Sequence, residues 1–203
     1  FFFEERLRTD INKTSIEYAF TINQVLALKK IDPSKIEGAI ISSVVPPLTA
    51  VLKTAVRKAL GLHALVVKVG MNIGDIKINR EMPERLGTDI LISHIAAVNR
   101  VGSPVIVVGM GTATTITVTD KNLVYQGGLI LPGVKLSMDT LSLKAAKLPA
   151  VGFDKPKRYI AKNTEESMMA GVLFGNAGAV DSIVEGIEKE LGYSCNVIAY
   201  GGM

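Results

Sequence analysis

Val105-Ile106-Val107-Val108-Gly109-Met110-Gly111-Thr112-Ala113-Thr114-Thr115-Ile116-Thr117-Val118-Thr119 is the stretch on which the reading of the fold turns. Val105 to Val108 is a β-branched run of strand length, and Ile116 to Thr119 alternates apolar and polar residues with the period of a half-buried strand. The seven residues between them, Gly109 to Thr115, therefore read as a turn. Gly111 lets the backbone approach a ligand closely. Free N–H groups beside the Thr112, Thr114 and Thr115 hydroxyls suit an acceptor-rich group such as a phosphate. The turn holds no lysine, so it is not a P-loop of the G-x-x-x-x-G-K-[ST] kind. A Gly/Thr hairpin turn without chemical consequence is the alternative.

Downstream, Thr119-Asp120-Lys121-Asn122 closes a hairpin, and Leu123 to Leu131, carrying Gly127-Gly128, completes a three-stranded antiparallel meander. Pro132-Gly133 ends it. Val134 to Lys147 reads as a helix with Leu136, Leu141 and Leu143 among its apolar positions, and Leu148 to Ile160 as a loop. Asn163-Thr164-Glu165-Glu166-Ser167 opens a long helix running to about Leu191, with Thr164 and Ser167 as capping residues and acidic side chains suited to the helix dipole. Its small residues Ala170, Gly171, Gly175, Ala177, Gly178 and Ala179 are unfavourable for helix formation, so close packing against another helix is expected.

Upstream, Arg85-Leu86-Gly87-Thr88-Asp89 leads into a helix from about Ile90 to Asn99, with Ile92, Ile95 and Ala96 facing inward. A carboxylate at a helix start is either an N-cap or, beside a binding cleft, a base for a substrate hydroxyl. Further toward the amino end, Phe1 to Arg8 reads as a strand. Thr14 to Lys30 reads as a helix with Ile16, Phe20, Val25 and Leu28 on its apolar face. Ala39-Ile40-Ile41 is the core of a buried strand that runs into Ser42-Ser43 and the breaker Pro46-Pro47. Serines at the carboxyl end of a strand are where open α/β sheets bind ligands, though they also cap helices. Leu48 to Leu60 is helical up to Gly61, and Ala64 to Val69 is a short strand.

The chain has 203 residues, 48% of them hydrophobic, enough for one large domain or two modest lobes. Cys195 is alone, and His63 and His94 lack metal-ligand spacing, which argues against a disulfide framework, a zinc site or a histidine-based triad. A formal charge of +4 suits an anionic small molecule. The one basic cluster, Lys155-Pro156-Lys157-Arg158, reads as a solvated loop, and no basic and aromatic residues interleave as in a nucleic-acid surface. No continuous apolar run of membrane-spanning length and no leader is evident, so a soluble, cytoplasmic protein is expected, with no membrane or nucleic-acid partner. Both ends are expected to lie within structure, because Phe1-Phe2-Phe3 opens on a strand-like run and Gly201-Gly202-Met203 directly follows another.

Ser42-Ser43-Val44-Val45-Pro46-Pro47, Gly87-Thr88-Asp89, Gly111-Thr112-Ala113-Thr114-Thr115, Gly127-Gly128 with Pro132-Gly133, Ala145-Ala146-Lys147-Leu148-Pro149 and Asn163-Thr164-x-x-Ser167 stand in a specific order. Together they resemble the type III pantothenate kinases, over essentially the whole chain. The resemblance implies an α/β fold of two related lobes of the actin-like ATPase (sugar-kinase and Hsp70) type, residues 1–103 forming the N-terminal lobe without its first strands and 104–203 the C-terminal lobe. It implies transfer of phosphate from ATP to the terminal hydroxyl of pantothenate, the first step of coenzyme A synthesis, by a homodimer that uses Mg²⁺ and a monovalent cation, K⁺ or NH₄⁺. By motif, Asp89 resembles the family's proton acceptor. Gly87, Thr88, Ile90 and Thr164 stand at pantothenate-binding positions, and Gly111, Thr112 and Thr114 at ATP-binding ones. Gly109 stands at the monovalent-cation position.

The chain departs from the family pattern at several places. The Asp-x-Gly-Asn-Thr phosphate loop of the amino end is absent, and Ile90 replaces an arginine. Arg80 stands three residues before Pro83 where an aromatic residue is usual. Gly109 replaces an aspartate, and Tyr200 a threonine. A homologue with weakened or lost turnover that works as a binding or regulatory accessory protein is thus the second expectation. At Gly109 the expectation is weak cation binding through backbone carbonyls and hydroxyls.

Overall fold

The computed structural model describes residues 2–71, 74–79, 86–144 and 155–202. The chain divides into two compact units, residues 1–72 with 84–92 and residues 73–83 with 93–203.

In the first unit, helix α1 (Ser15–Leu28) starts on a complete capping box. The Thr14 hydroxyl accepts from the Glu17 N–H, and the Glu17 carboxylate accepts from the Thr14 N–H at 2.7 Å. Helix α2 (Pro46–Leu60) begins on two prolines, where a missing N–H costs nothing, and ends at Gly61 in the left-handed conformation. Tyr18 and Ala19 of α1 bury against Leu48 and Ala55 of α2, with Ile22, Val51 and Leu52 around them. Strand β1 (Ile40–Ile41) pairs in parallel with β2 (Leu65–Val66).

Three expectations are corrected in this unit. The inward row of α1 is Tyr18, Ile22 and Leu26, whereas Ile16, Phe20 and Leu28 are exposed. Both rows have helical spacing, so periodicity does not choose between them; the buried one carries Ala19, which lets α1 approach Ala55. Residues 2–8 form no strand, since their backbone has no ladder partner among the described residues. Ile40 is exposed, and only Ile41 of β1 is buried.

The second unit is built on a five-stranded sheet in the order β3 (Lys77–Ile78), β6 (Val124–Pro132), β5 (Ala113–Thr119), β4 (Val105–Met110), β7 (Asn196–Gly201). β4, β5 and β6 are the expected antiparallel meander, while β7 and β3 join its edges in parallel. The expected seven-residue turn is shorter. The ladder continues through Gly109↔Thr115 and Met110↔Thr114, so only Gly111 and Thr112 lie outside the strands. At the far end of the meander, Asp120 holds the β5–β6 connection together. Its carboxylate accepts from the N–H groups of Asn122 and Val124 and from the Gln126 amide at 2.8 to 2.9 Å. Burial pushes its pKa up, but these donors outweigh it and hold it below the usual carboxylate value.

One face of the sheet carries Ile106, Val108, Ile116 and Val118, covered by Val180, Ile183, Val184 and Ile187 of helix α5 (Thr164–Leu191). Helix α4 (Val134–Lys144) packs through Val134 and Met138 on Met168 and Val172 of α5. Leu136, Leu141 and Leu143 of α4 are exposed, and the expected continuation to Lys147, with the Ala145 to Pro149 motif, lies outside the described residues. By length and composition α5 is apolar enough to cross a membrane; in this fold Val180, Ile183, Val184 and Ile187 of its second half pack on the sheet. The expected helix partner is met by α4 near Met168 and Val172, where Ala170 is buried, but not over the glycines. Among the described residues nothing lies within 4 Å of where a Cβ on Gly171, Gly175 or Gly178 would stand.

The other face of the sheet carries Val105 and Val107, which meet Ala97 and Val98 of helix α3 (Thr88–Val101) and Ile198 of β7. The inward positions of α3 include Leu91, His94 and Ala97, while the expected Ala96 is exposed. A histidine took the place that pattern reading reserves for an aliphatic residue. His94 is fully buried, edge-on to Tyr125, with Nε2 2.7 Å from the Thr117 hydroxyl and Nδ1 2.8 Å from the Thr119 hydroxyl. Thr117 donates to the Val107 carbonyl, so it accepts from Nε2–H, and Nδ1 accepts from Thr119. A neutral ring satisfies all three groups, and a protonated one does not.

Burial lowers the pKa of His94 from 6.5 to about 4. The unfolded chain takes up this proton first. The stabilisation from a neutral His94 is therefore complete above pH 6.5 and drains away as pH falls toward 4. Unfolding in urea should show stability falling by roughly 2–3 kcal/mol between pH 6.5 and 4.5, before most carboxylates titrate. A His94→Gln chain should be less stable at neutral pH but flat across this window.

Candidate active site

Two groups of expected site residues are assembled, one in each unit. In the first unit, β1 delivers Ser42 and Ser43 at its carboxyl end. The Ser42 hydroxyl lies 3.1 Å from that of Thr88, in the first turn of α3. Ser43 bonds locally instead, accepting from the Val45 N–H at 3.1 Å and donating to the Val45 carbonyl, which shapes the entry to α2. Asp89 is the second helical residue of α3, and the Leu91 N–H donates to the Gly87 carbonyl. Gly87, one residue before the helix, occupies the capping position that was the alternative expectation for Asp89.

The Asp89 side chain folds back over Gly87. A Cβ at position 87 would collide with its Oδ1 and touch Val44 Cγ1 at 3.6 Å. Glycine is what leaves the carboxylate room to lie across the helix start. Asp89 is exposed there, with the Ser42–Thr88 hydroxyl pair on the same helix end. This is a carboxylate with open access and neighbouring neutral hydroxyls, an arrangement suited to receiving a substrate alcohol and its proton.

In the second unit, Gly111 and Thr112 form the exposed tip between β4 and β5, the Gly111 N–H donating to the Ala113 carbonyl at 3.1 Å. Gly133 locks this tip to the start of α4. Its N–H donates to the Thr112 carbonyl at 3.0 Å, and a Cβ on Gly133 would strike the carbonyl oxygens of Gly111 and Thr112. The first turn of α4 is thereby held against the glycine-threonine tip. Thr114 is placed differently. It shares a row with Met110 and Leu131, the apolar pair that packs toward α5, and its buried hydroxyl has no hydrogen-bond partner among the described residues.

Thr115 and Gly109 pair on the opposite face, and Tyr200 of β7 pairs with Gly109 from the other side. Nothing in periodicity pointed to Tyr200. The available signal was that positions 109 and 200 both depart from the family pattern, which a parallel pairing of β4 and β7 makes a contact. Thr164 is the first helical residue of α5 and is exposed; the cap is its neighbour Asn163, which accepts from the Glu166 N–H at 2.8 Å. Ile90 is half-buried in the first turn of α3. Arg80 and Pro83 lie outside the described residues.

The sequence matches the type III pantothenate kinase family over residues 2–186. The chain belongs to that family. A type III pantothenate kinase of Bacillus cytotoxicus is 38% identical over 198 residues, 98% of this chain and 75% of the relative. One of Brevibacillus brevis is 37% identical over the same share of this chain and 77% of its own length. A solved structure from Campylobacter jejuni, titled as a Baf family transcriptional activator, is 22% identical over 80% of this chain and 68% of its own, with a TM-score of 0.45. The mixed α/β architecture is that of the family's actin-like ATPase fold.

For a type III pantothenate kinase, the contact between Gly133 and the Gly111–Thr112 tip is open to a direct test. A methyl group at position 133 has to push backbone apart. Gly133→Ala should cost about 1–3 kcal/mol of stability and weaken ATP binding measured by calorimetry. Gly38→Ala, at a position with nothing within 4 Å, should leave both unchanged.

Proposed function

We propose that this chain phosphorylates pantothenate at its terminal hydroxyl with ATP as donor, and that Asp89 is the base. The observation that carries the assignment is the Asp89 carboxylate lying over Gly87 beside the Ser42–Thr88 hydroxyls. Family membership supplies the reaction. As the bond forms between the pantothenate oxygen and the γ-phosphorus, the bond from that phosphorus to the β–γ bridging oxygen breaks and ADP leaves. The hydroxyl proton passes to Asp89. Phosphoryl transfer asks the protein chiefly for positioning and charge stabilisation, so one base and a set of donors suffice. Gly87, Thr88 and Ile90 would border the pantothenate at this helix end, with Thr164 a further contact. Gly111 and Thr112, held against the first turn of α4, would receive the nucleotide phosphates.

Mg²⁺ fits as a companion of the nucleotide. Among the described residues no three acidic, histidine or cysteine side chains gather in one place, so the protein offers no cage. Such an ion would be held chiefly by water and the nucleotide phosphates and would supply charge neutralisation there. Thr114 would be the third ATP-binding position, its buried hydroxyl having no hydrogen-bond partner among the described residues.

A twofold homodimer is part of the proposal. What supports it is the small-residue face of α5, where among the described residues nothing lies within 4 Å of an added Cβ on Gly171, Gly175 or Gly178.

Asp89→Asn preserves size and removes basicity. Turnover of pantothenate should fall by about 10²-fold or more, while ATP affinity stays within error; survival of turnover near the parent rate would rule Asp89 out as base. A parent chain that binds ATP without any turnover would favour the accessory-protein reading. For assembly, light scattering at micromolar concentration should give the dimer mass for the parent and the monomer mass for Gly175→Glu with unchanged helix content. A monomeric parent would remove the dimer.

A further inference from the structure

We infer that this chain does without a potassium or ammonium ion beside the phosphates, because the Tyr200 side chain occupies the space from which a carboxylate at position 109 would hold one. The inference rests on the kinase reading for the presence of phosphates, and on Gly109, Thr115 and Tyr200 for the rest. These three residues form one cross-strand row, Thr115 of β5, Gly109 of β4 and Tyr200 of β7. A Cβ built on Gly109 would stand 2.7 Å from Thr115 Oγ1, 2.8 Å from Tyr200 Oη and 2.9 Å from Tyr200 Cζ. All three are well inside ordinary van der Waals contact. Even an alanine does not fit while Tyr200 keeps its place, and an aspartate fits less.

The chemistry of the donor set agrees with the sterics. Gly109 is buried and carries no side-chain ligand, and the two oxygens above it are neutral hydroxyls. The resemblance gives the aspartate a cation to hold, and a cation is useful there because a carboxylate beside phosphate oxygens adds negative charge to negative charge. When a phenol replaces the carboxylate, both the charged ligand and the repulsion it creates are gone. A phenol and a threonine hydroxyl can also donate hydrogen bonds, which a carboxylate cannot. Gly109 and Tyr200 are therefore one compensated exchange. The expectation of a weakened cation site at Gly109 is replaced by a site of neutral donors that has no need of the ion.

The test uses the whole chain in potassium chloride and in choline chloride at equal ionic strength. Initial rates, ATP affinity by calorimetry and the melting temperature should be the same in both salts, and a saturable rise of rate or ATP affinity with potassium would overturn the inference. The packing is read separately, without turnover. Gly109→Asp alone should lower the melting temperature by about 2–4 °C, and adding Tyr200→Thr should restore most of it. A Gly109→Asp chain as stable as the parent would show that Tyr200 does not fill the space, and would also overturn the inference. Absence of turnover in every salt would count against the kinase reading, while the melting temperatures still decide the fate of the Gly109–Tyr200 contact.

Discussion

The antiparallel ladder of β4 on β5 is the constraint from which the second unit follows. Six consecutive pairs, from Val105↔Thr119 to Met110↔Thr114, fix which side chains look to α3 and which to α5. A slip of one residue would turn Thr117 and Thr119 away from His94 and push Ile116 and Val118 out of the α5 core. The same register determines the chemistry at the end of the ladder. It sets Gly109 between Thr115 and Tyr200 on one face and turns Thr114 toward Met110 and Leu131 on the other. Alternating hydroxyls in the glycine-threonine stretch thus serve two purposes, one in packing and one at the surface row.

His94 secures that register more firmly than an aliphatic residue would. A leucine in its place would accept either register of β5, because any apolar neighbour satisfies it. An imidazole between two hydroxyls is satisfied only when Thr117 and Thr119 stand opposite it, and leaving its nitrogens unpaired in the core costs about 1–3 kcal/mol per group. The buried polar network gives specificity to an otherwise aliphatic sheet.

What was legible in the sequence follows from how local each signal is. The meander, the cap region of α5 and the glycine end of α2 are each written within a few residues, and they stand as read, with Asn163 taking the cap from Thr164. The inner faces of α1 and α3 were not legible. Two rows of α1 carry apolar residues at helical spacing, and only the presence of Ala55 on α2 selects the row with Ala19. On α3 the pattern hides a histidine among aliphatics. β1 and β2 are shorter than their apolar runs because each pairs over only two residues. At the candidate site, Gly87 and Asp89 were visible as neighbours, but the carboxylate lying back over the glycine is a matter of rotamer and space. Tyr200 was invisible as a partner of Gly109 because their pairing spans most of the second unit.

Among the described residues, the groups at the two candidate sites are mostly neutral hydroxyls and backbone. Around the helix start of α3, Asp89 is accompanied among the described residues by the hydroxyls of Ser42 and Thr88. Around the glycine-threonine tip stand the Thr112 hydroxyl and the backbone of the tip and of the start of α4, with the hydroxyls of Thr115 and Tyr200 nearby in the strands. Neutral donors bind phosphate oxygens by direction and give little attraction at long range, so the geometry of the tip has to be held tightly to be useful. Gly133 against the Gly111 and Thr112 carbonyls supplies that rigidity with backbone alone.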